Sequence, residues 1–246
     1  MKQSFALTTV PVLLLALAAC SPDKPADDAA PAAAPSAANS APASQPASTA
    51  DVPAGAYTLE KSHATLLFRV NHLGFSMYTA RFKRFDAALQ FDPANLAASS
   101  VTATVDVRSL ETDFPDPAKL DFNAELLGEA WLNAEQFPEI TFRSTAVQVT
   151  APNTVRITGD FTLHGVTKPL TLDATFNGGY AGHPMDPHAR IGFSARGKLK
   201  RSDYGISVGI PAPGTTLGVS DAVEIIIEAE FSGPPLATES APPAAG

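Results

Sequence analysis

Five histidines, a single cysteine and two short runs of basic residues are the groups in this 246-residue chain whose chemistry stands out. None of them sits in a catalytic pattern. There is no G-x-S-x-G nucleophile elbow, no phosphate loop and no H-E-x-x-H pair, so no catalytic residue and no metal ligand is expected. His63 and His72 lie along one extended stretch with a separation of odd parity, which sends them to opposite faces and makes them poor co-ligands. His183, Asp186 and His188 share a Gly/Pro-rich segment that a loop could gather around a metal, but the spacing matches no established site, and an exposed irregular loop is the plainer reading. His164, before Gly165, reads as a turn residue. His72 shares a face with Leu66, Phe68 and Val70. An imidazole on an apolar face needs a hydrogen-bond partner, and either the core or the polar end of a bound molecule could supply it. Arg201 and Asp203 read as a structural ion pair or as hydrogen bonds that close the fold. Arg81, Lys83 and Arg84, and again Lys198, Lys200 and Arg201, read as solvated or ion-paired surface, with contact to anionic lipid as the alternative.

The cysteine belongs to a different chemistry. Lys2, an apolar run through Val10, Val12, Leu13, Leu14 and Leu15, and then Leu17-Ala18-Ala19-Cys20 form an export signal of lipoprotein type, residues 1–19, with cleavage ahead of a lipidated Cys20. The mature chain then has no free thiol, so disulfides and thiolate chemistry drop out together. Acyl chains, at about 0.8 kcal/mol per buried CH₂, tie such a chain to a membrane. The expected location is the bacterial cell envelope, lipid-anchored and facing the periplasm. Ser21 after the cysteine favours the outer over the inner membrane.

Residues 20–55 are mostly Ala, Pro and Ser with a few Asp, a composition that cannot bury enough apolar surface to fold and is expected to be a disordered tether. The tail, 233–246, has the same character. Between them, 56–232 makes one domain of a size that needs no metal, disulfide or cofactor to stand. The whole chain carries a formal charge of −8, which argues against nucleic acid as a partner.

Within that domain the apolar pattern has period two, the mark of strands with one wet face. Eight such stretches are expected: Leu66–His72, Phe85–Phe91, Val101–Val107, the segment around Ile140 and Phe142, Val155–Leu163, Leu170–Phe176, Ile191–Leu199 and Val223–Phe231. Turn signals separate them at Asp92–Asn95, Ala151–Asn153, Gly165–Pro169 and Asn177–Gly179. The stretch Asp113–Phe137 differs, with Phe122, Leu126, Leu127, Ala130 and Trp131 at helical spacing, and is expected to hold one or two short helices. The fold class is therefore all-β: an eight-stranded antiparallel barrel with a short helical insertion. Eight strands are about the fewest whose interior holds a small ligand, and a filled β-sandwich is the competing architecture.

Three blocks carry a resemblance. They are Tyr57–Phe75 with Arg81–Asp92, then Phe137–Ser144 with Gly159–Leu172, which includes Leu163-His164-Gly165-Val166-Thr167-Lys168-Pro169, and finally Arg201-Ser202-Asp203-Tyr204-Gly205-Ile206. In order and spacing they resemble the YceI-like family of lipocalin-like, polyisoprenoid-binding envelope proteins, over nearly the whole domain. The resemblance implies a barrel around a hydrophobic tunnel for an isoprenoid chain or a similarly long amphiphile, a quinone among them. Phe68, Val70, His72, Phe85, Leu89, Val105, Phe142, Phe161 and Phe193 are then expected among the lining, with Trp131 and Phe137 from the insertion covering one mouth. One departure is visible: after Ser109-Leu110-Glu111-Thr112 the family often has a His-Leu-containing stretch, and this chain has Asn123-Ala124-Glu125-Leu126-Leu127. That implies a different recognition of the head group. The expected role is non-enzymatic carriage, storage or protection of the lipid, and a homodimer is admitted. The alternative is a barrel filled by its own side chains that serves as an envelope interaction or structural protein.

Overall fold

The computed structural model describes residues 52–236. The signal segment, Cys20 and the tether up to residue 51 lie outside the described residues, as does the tail beyond Leu236. Eleven strands and one α-helix follow in order: β1 Gly55–Leu59, β2 Thr65–His72, β3 Ser76–Phe82, β4 Phe85–Phe91, β5 Ser100–Asp106, β6 Leu110–Glu111, α1 Phe122–Leu127, β7 Glu139–Ala151, β8 Thr154–Leu163, β9 Val166–Tyr180, β10 His188–Lys200 and β11 Val219–Pro235.

The eleven reduce to eight. β1 and β2 both run antiparallel to β11, with Leu59 opposite Phe231 and Thr65 opposite Glu228, so they are one strand interrupted by a 3₁₀ turn at Lys61–His63. β3 and β4 pair with β2 and β1 in turn, and β5 and β6 pair with β4 and β3. The result is three bent strands followed by five continuous ones, each pairing with its neighbour and the last, β11, returning to the first. This is a closed antiparallel barrel of eight strands with one short helix, as the alternation predicts. Closure runs through β1, β4, β5 and β7 to β11, which leaves those strands no edge for another chain to extend, while β3 and β6 end the sheet above that ring.

The bends require the backbone groups they free to find other partners. Ser109, only 3% exposed, supplies several. Its hydroxyl accepts from the Arg84 N–H (2.9 Å) and donates to the Asp106 carbonyl (2.6 Å), and its own carbonyl accepts from Lys83 N–H (3.0 Å). β5 then pairs with β7 only as far as Asp106 opposite Glu139. Beyond that point the seam between β6 and β7 is open, and residues 112–138, including α1, fill it. Asp121 caps the helix by accepting from Ala124 N–H at 2.9 Å.

Several sequence expectations shift. β1 escaped the pattern because it is short, and β3 because its inward residues, such as Tyr78 and Ala80, are not a run of aliphatics. His63 sits in the 3₁₀ turn rather than on the strand of His72. Asn177–Gly179 is not a turn: it lies inside β9, where Gly178 faces Gly192 and Phe176 faces Phe193, leaving Asn177 as the extra residue of a β-bulge. The turn between β8 and β9 is instead His164-Gly165 alone, with φ of 53° and 73°, the two positive values of a type I′ hairpin. The folded body also runs past 56–232 at both ends. Val52 is 3% exposed within the core, and β11 continues through Gly233 to Pro235.

The lower end of the barrel, where β1, β4 and the bulged half of β9 meet, is filled. Tyr57 and Phe91 meet edge to face at 5.9 Å, Phe91 stacks on Phe176 at 6.3 Å, and Phe193 packs edge-on against Phe176 at 5.5 Å. Such pairs add about 0.5–1.5 kcal/mol each to area burial. Tyr57 is 1% exposed and donates to the Pro53 carbonyl at 2.7 Å, and burial pushes its phenol up to about 12.

A Cβ on Gly233 would run into the Tyr57 ring, so Gly233→Ala is expected to cost about 1–3 kcal/mol by overpacking, measured as a lower urea midpoint at unchanged slope. Across the same end, Glu60 accepts from the Ser62 hydroxyl at 2.6 Å and from Arg190 at 3.1 Å, and these contacts hold its carboxyl down from 4.5 to about 2. A depressed folded pKa gives stability that is fully present above the unfolded value and is lost as pH falls towards 2. Glu60→Gln is therefore expected to flatten the fall in melting temperature between pH 4.5 and 2, with no steepening above pH 5.

Candidate functional site

Above the aromatic floor the barrel is hollow. A cavity of about 710 Å³ runs from Leu59, Leu89, Phe193 and Phe231 at its base to the open seam at the top, within the range of small-molecule sites. Alternation along each strand aims one side chain in two at this space. Phe68 and Val70 reach it from β2, Phe85 and Leu89 from β4, Val105 from β5, Phe142 from β7, Phe161 from β8 and Phe193 from β10. Gly159 makes room for Phe142: a Cβ there would lie 2.5 Å from its ring.

The insertion forms the upper wall. Trp131 reaches the cavity, as expected, together with Phe114, Phe122, Leu126 and Leu132. Phe122 meets Tyr78 and Phe114 at 5.9 and 5.7 Å. The Phe122/Leu126 pair, one turn apart, is the signal that could have placed these residues, since a short helix with one apolar stripe must cover something. Phe137 does not line the cavity. It packs outside on the β8–β9 turn, 4.6 Å from the His164 ring and directly over Gly165, where a Cβ would stand 2.5 Å from its ring. Its aromatic type suggested a lid, but the chain has already left the mouth and is entering β7.

Asn123, at the point of departure from the family pattern, anchors the insertion. Its amide oxygen accepts from Thr112 N–H (2.9 Å) and from the Thr112 hydroxyl (2.6 Å), and its nitrogen donates to Glu111 at 3.2 Å. The Asp113 N–H and this amide hold the Glu111 carboxyl below its ordinary value.

The polar groups separate by position. His72 lies on the lining at the upper rim, exposed rather than embedded in the core, because β2 ends there and the three-residue turn Leu73–Phe75 follows. Tyr78 donates to the Thr112 carbonyl at 3.2 Å. Arg201 is on the lining and only 5% exposed. It does not pair with Asp203, which sits 3.4 Å from Lys168. Its Nε donates to Ser220 O (3.0 Å), Nη2 to Val219 O (2.8 Å) and Nη1 to Ile206 O (3.3 Å), tying the segment after β10 to the start of β11. Of the two basic runs, Arg81, Arg84 and Lys198 are exposed and ion-paired, to Asp113, Asp106 and Glu224, and Arg201 alone is buried. In the Gly/Pro-rich loop, Asp186 accepts from Tyr180 (2.7 Å) and Arg190 (3.0 Å), so its carboxylate is taken by protein donors.

Comparison with known proteins agrees with this architecture. The YceI-like domain matches residues 57–231. The protein YceI of Salmonella arizonae is 37% identical over 188 residues, 74% of this chain and 90% of that protein. A UPF0312 protein of Vibrio cholerae serotype O1 is 36% identical over 169 residues, 69% of this chain and 82% of the relative. Among solved structures, Burkholderia cenocepacia BcnA superposes with a TM-score of 0.59 at 25% identity, covering 70% of this chain and 98% of BcnA. A polyisoprenoid binding domain from Saccharophagus degradans shares the fold, with a TM-score of 0.51 at 14% identity over 72% of this chain and 98% of that domain. With the family domain spanning the barrel from β1 to β11, the chain belongs to the YceI-like family.

Proposed function

We propose that this protein binds one long-chain amphiphile, an isoprenoid lipid or a quinone, with the tail in the barrel, and that it carries, stores or protects the molecule without chemically changing it. The observation that carries this reading is the apolar cavity of about 710 Å³ held open above a packed floor. A barrel meant only to stand would bring such walls together, because empty apolar volume forfeits contact energy. The filled-barrel alternative fits the lower end of this molecule and not the upper. Each methylene transferred from water adds about 0.8 kcal/mol, so a chain of several isoprene units gains enough to offset the cost of immobilising it. The name of the Saccharophagus degradans domain, a polyisoprenoid binding domain, is in keeping with the same class of ligand. The exposed His72 at the rim is then placed to meet the ligand's polar end. Anchoring through an acylated Cys20 in the periplasm-facing envelope, on the outer membrane, would hold the barrel close to a lipid surface.

The test is native mass spectrometry with organic extraction on the full chain purified from a bacterial envelope, which is expected to show one lipid per barrel. Ala103, half-buried on the cavity wall, gives the sharper variant. Ala103→Phe is expected to narrow the cavity across its width and obstruct the path of the tail, lower lipid occupancy at least about tenfold, and leave thermal stability equal or higher. A stable Ala103→Phe protein that still carries the full complement of lipid sinks the proposal.

A further inference from the structure

Two segments at the upper rim stand apart in composition. Val70–Ala80, which holds the β2–β3 turn, and Tyr204–Ser220, which joins β10 to β11, contain no Asp, Glu, Lys or Arg, in a chain that is 17% charged. Hydrogen bonds tie them into one surface. Leu73 N–H donates to the Gly218 carbonyl (2.8 Å), Asn71 N–H to the Ser220 hydroxyl oxygen (2.9 Å) and Val219 N–H to the Gly209 carbonyl (2.7 Å). On that surface Phe75 is 84% exposed, Leu217 77% and Val208 42%. His72 and Val219 line the cavity, whereas Phe75, Val208 and Leu217 do not, so the patch continues the mouth outwards and is not part of the lining. The turn also satisfies its own donors. Besides Leu73, Gly74 N–H donates to the Asn71 amide oxygen (2.8 Å) and Phe75 N–H to the His72 carbonyl (2.9 Å). On the neighbouring loop, Pro211 and Pro213 have no N–H to satisfy.

We propose that this tip, Phe75 with Val208 and Leu217, docks on the surface of a lipid bilayer and sets the mouth of the barrel against it. A bilayer interface accepts large apolar side chains and penalises bare polar backbone and buried charge. The tip offers the first and has little of the others. A protein partner would be held at its rim by directional polar contacts, and here the donors of the turn are already spent. The neighbouring cations are not free to recruit an anionic surface: Arg81 pairs with Asp113 at 2.9 Å, and Arg69 lies 3.9 Å from Glu224. The insertion that walls the same cavity adds Asp116, Asp121, Glu125 and Glu129 against Lys119. Docking is therefore driven by apolar burial, suits a zwitterionic bilayer and depends little on salt. Its use rests on the lipid-binding reading above: a guest that passes between bilayer and barrel at this contact keeps its tail out of water.

The test places the full chain in phosphatidylcholine vesicles doped with a photoactivatable phosphatidylcholine, and cross-linked residues are read by peptide mass spectrometry. Adducts are expected at Phe75, Val208 and Leu217 in at least about tenfold higher yield than at Ala151 and Met185, exposed on loops of the filled end, and equally at low and high salt. Phe75→Ser combined with Leu217→Ser is expected to remove the adduct at Val208 and to slow release of the bound lipid into the vesicles at least about tenfold. Lipid content and melting temperature should not change, because neither side chain is buried or lines the cavity. Adducts spread evenly over both ends overturn the inference, as contact imposed by an anchor alone. Adducts confined to cavity residues such as Phe142 overturn it and spare lipid binding, and so does a release rate that the double substitution leaves unchanged. Tip adducts that need added phosphatidylglycerol, or vanish at high salt, make the contact electrostatic and overturn it. A dimer in solution that the double substitution splits makes a second copy the occupant, with the same result. A chain that carries no lipid overturns the reading above, while the adduct map still decides the docking.

Discussion

Everything in this molecule depends on backbone groups that leave the β-ladder and still find partners. An eight-stranded barrel of straight strands would be about equally wide at both ends. Here three consecutive strands bend, and each bend frees N–H and C=O groups that cannot stay unpaired in the interior. Ser109 meets that need at the two inner bends with a single buried hydroxyl and its own carbonyl. Once the bends are held, β1, β4 and β5 can draw together with the bulged half of β9 around a packed aromatic floor, while β2, β3 and β6 flare away above it. The cavity is the volume enclosed by that flare, and the insertion is the piece of chain that keeps it from being a gap.

The fold was legible in the sequence to the extent that period-two alternation reports it. Five long strands and parts of three others show one apolar face over several residues, and their number fixes the barrel. The bends were not legible. The 3₁₀ turns at Lys61–His63 and Val107–Ser109 are set by pairing with segments far away in sequence, and no local pattern distinguishes Ser109 from a surface serine. Asn177-Gly178-Gly179 illustrates the opposite error, since residues that favour a turn also favour a bulge, and only the partner strand decides between them.

The site was legible wherever a residue's face follows from its strand. Phe68, Phe85, Phe142, Phe161 and Phe193 all reach the cavity because alternation leaves them nowhere else to point. Off the strands that logic stops. Phe137 and Trp131 are both aromatics of the insertion, six residues apart, yet one seals a turn from outside and the other faces the interior. Arg201 resembled its surface neighbours Lys198 and Lys200 because its burial comes from the chain turning inward after β10.

The ring closes between the two ends of the folded body, with β1 held between β4 and β11. A chain that emerges residue by residue can assemble the meander from β4 to β10 by local hairpins, but β1 and β2 have no partner on their outer side until Val219–Pro235 appears. Contacts of such sequence separation form slowly, and until they form both edges are open to other chains. The last seventeen residues of the barrel therefore set the moment at which it can first retain a guest. A chain stalled before that point would be an open sheet with its apolar face uncovered, and protecting it would fall to whatever factors accompany newly made chains.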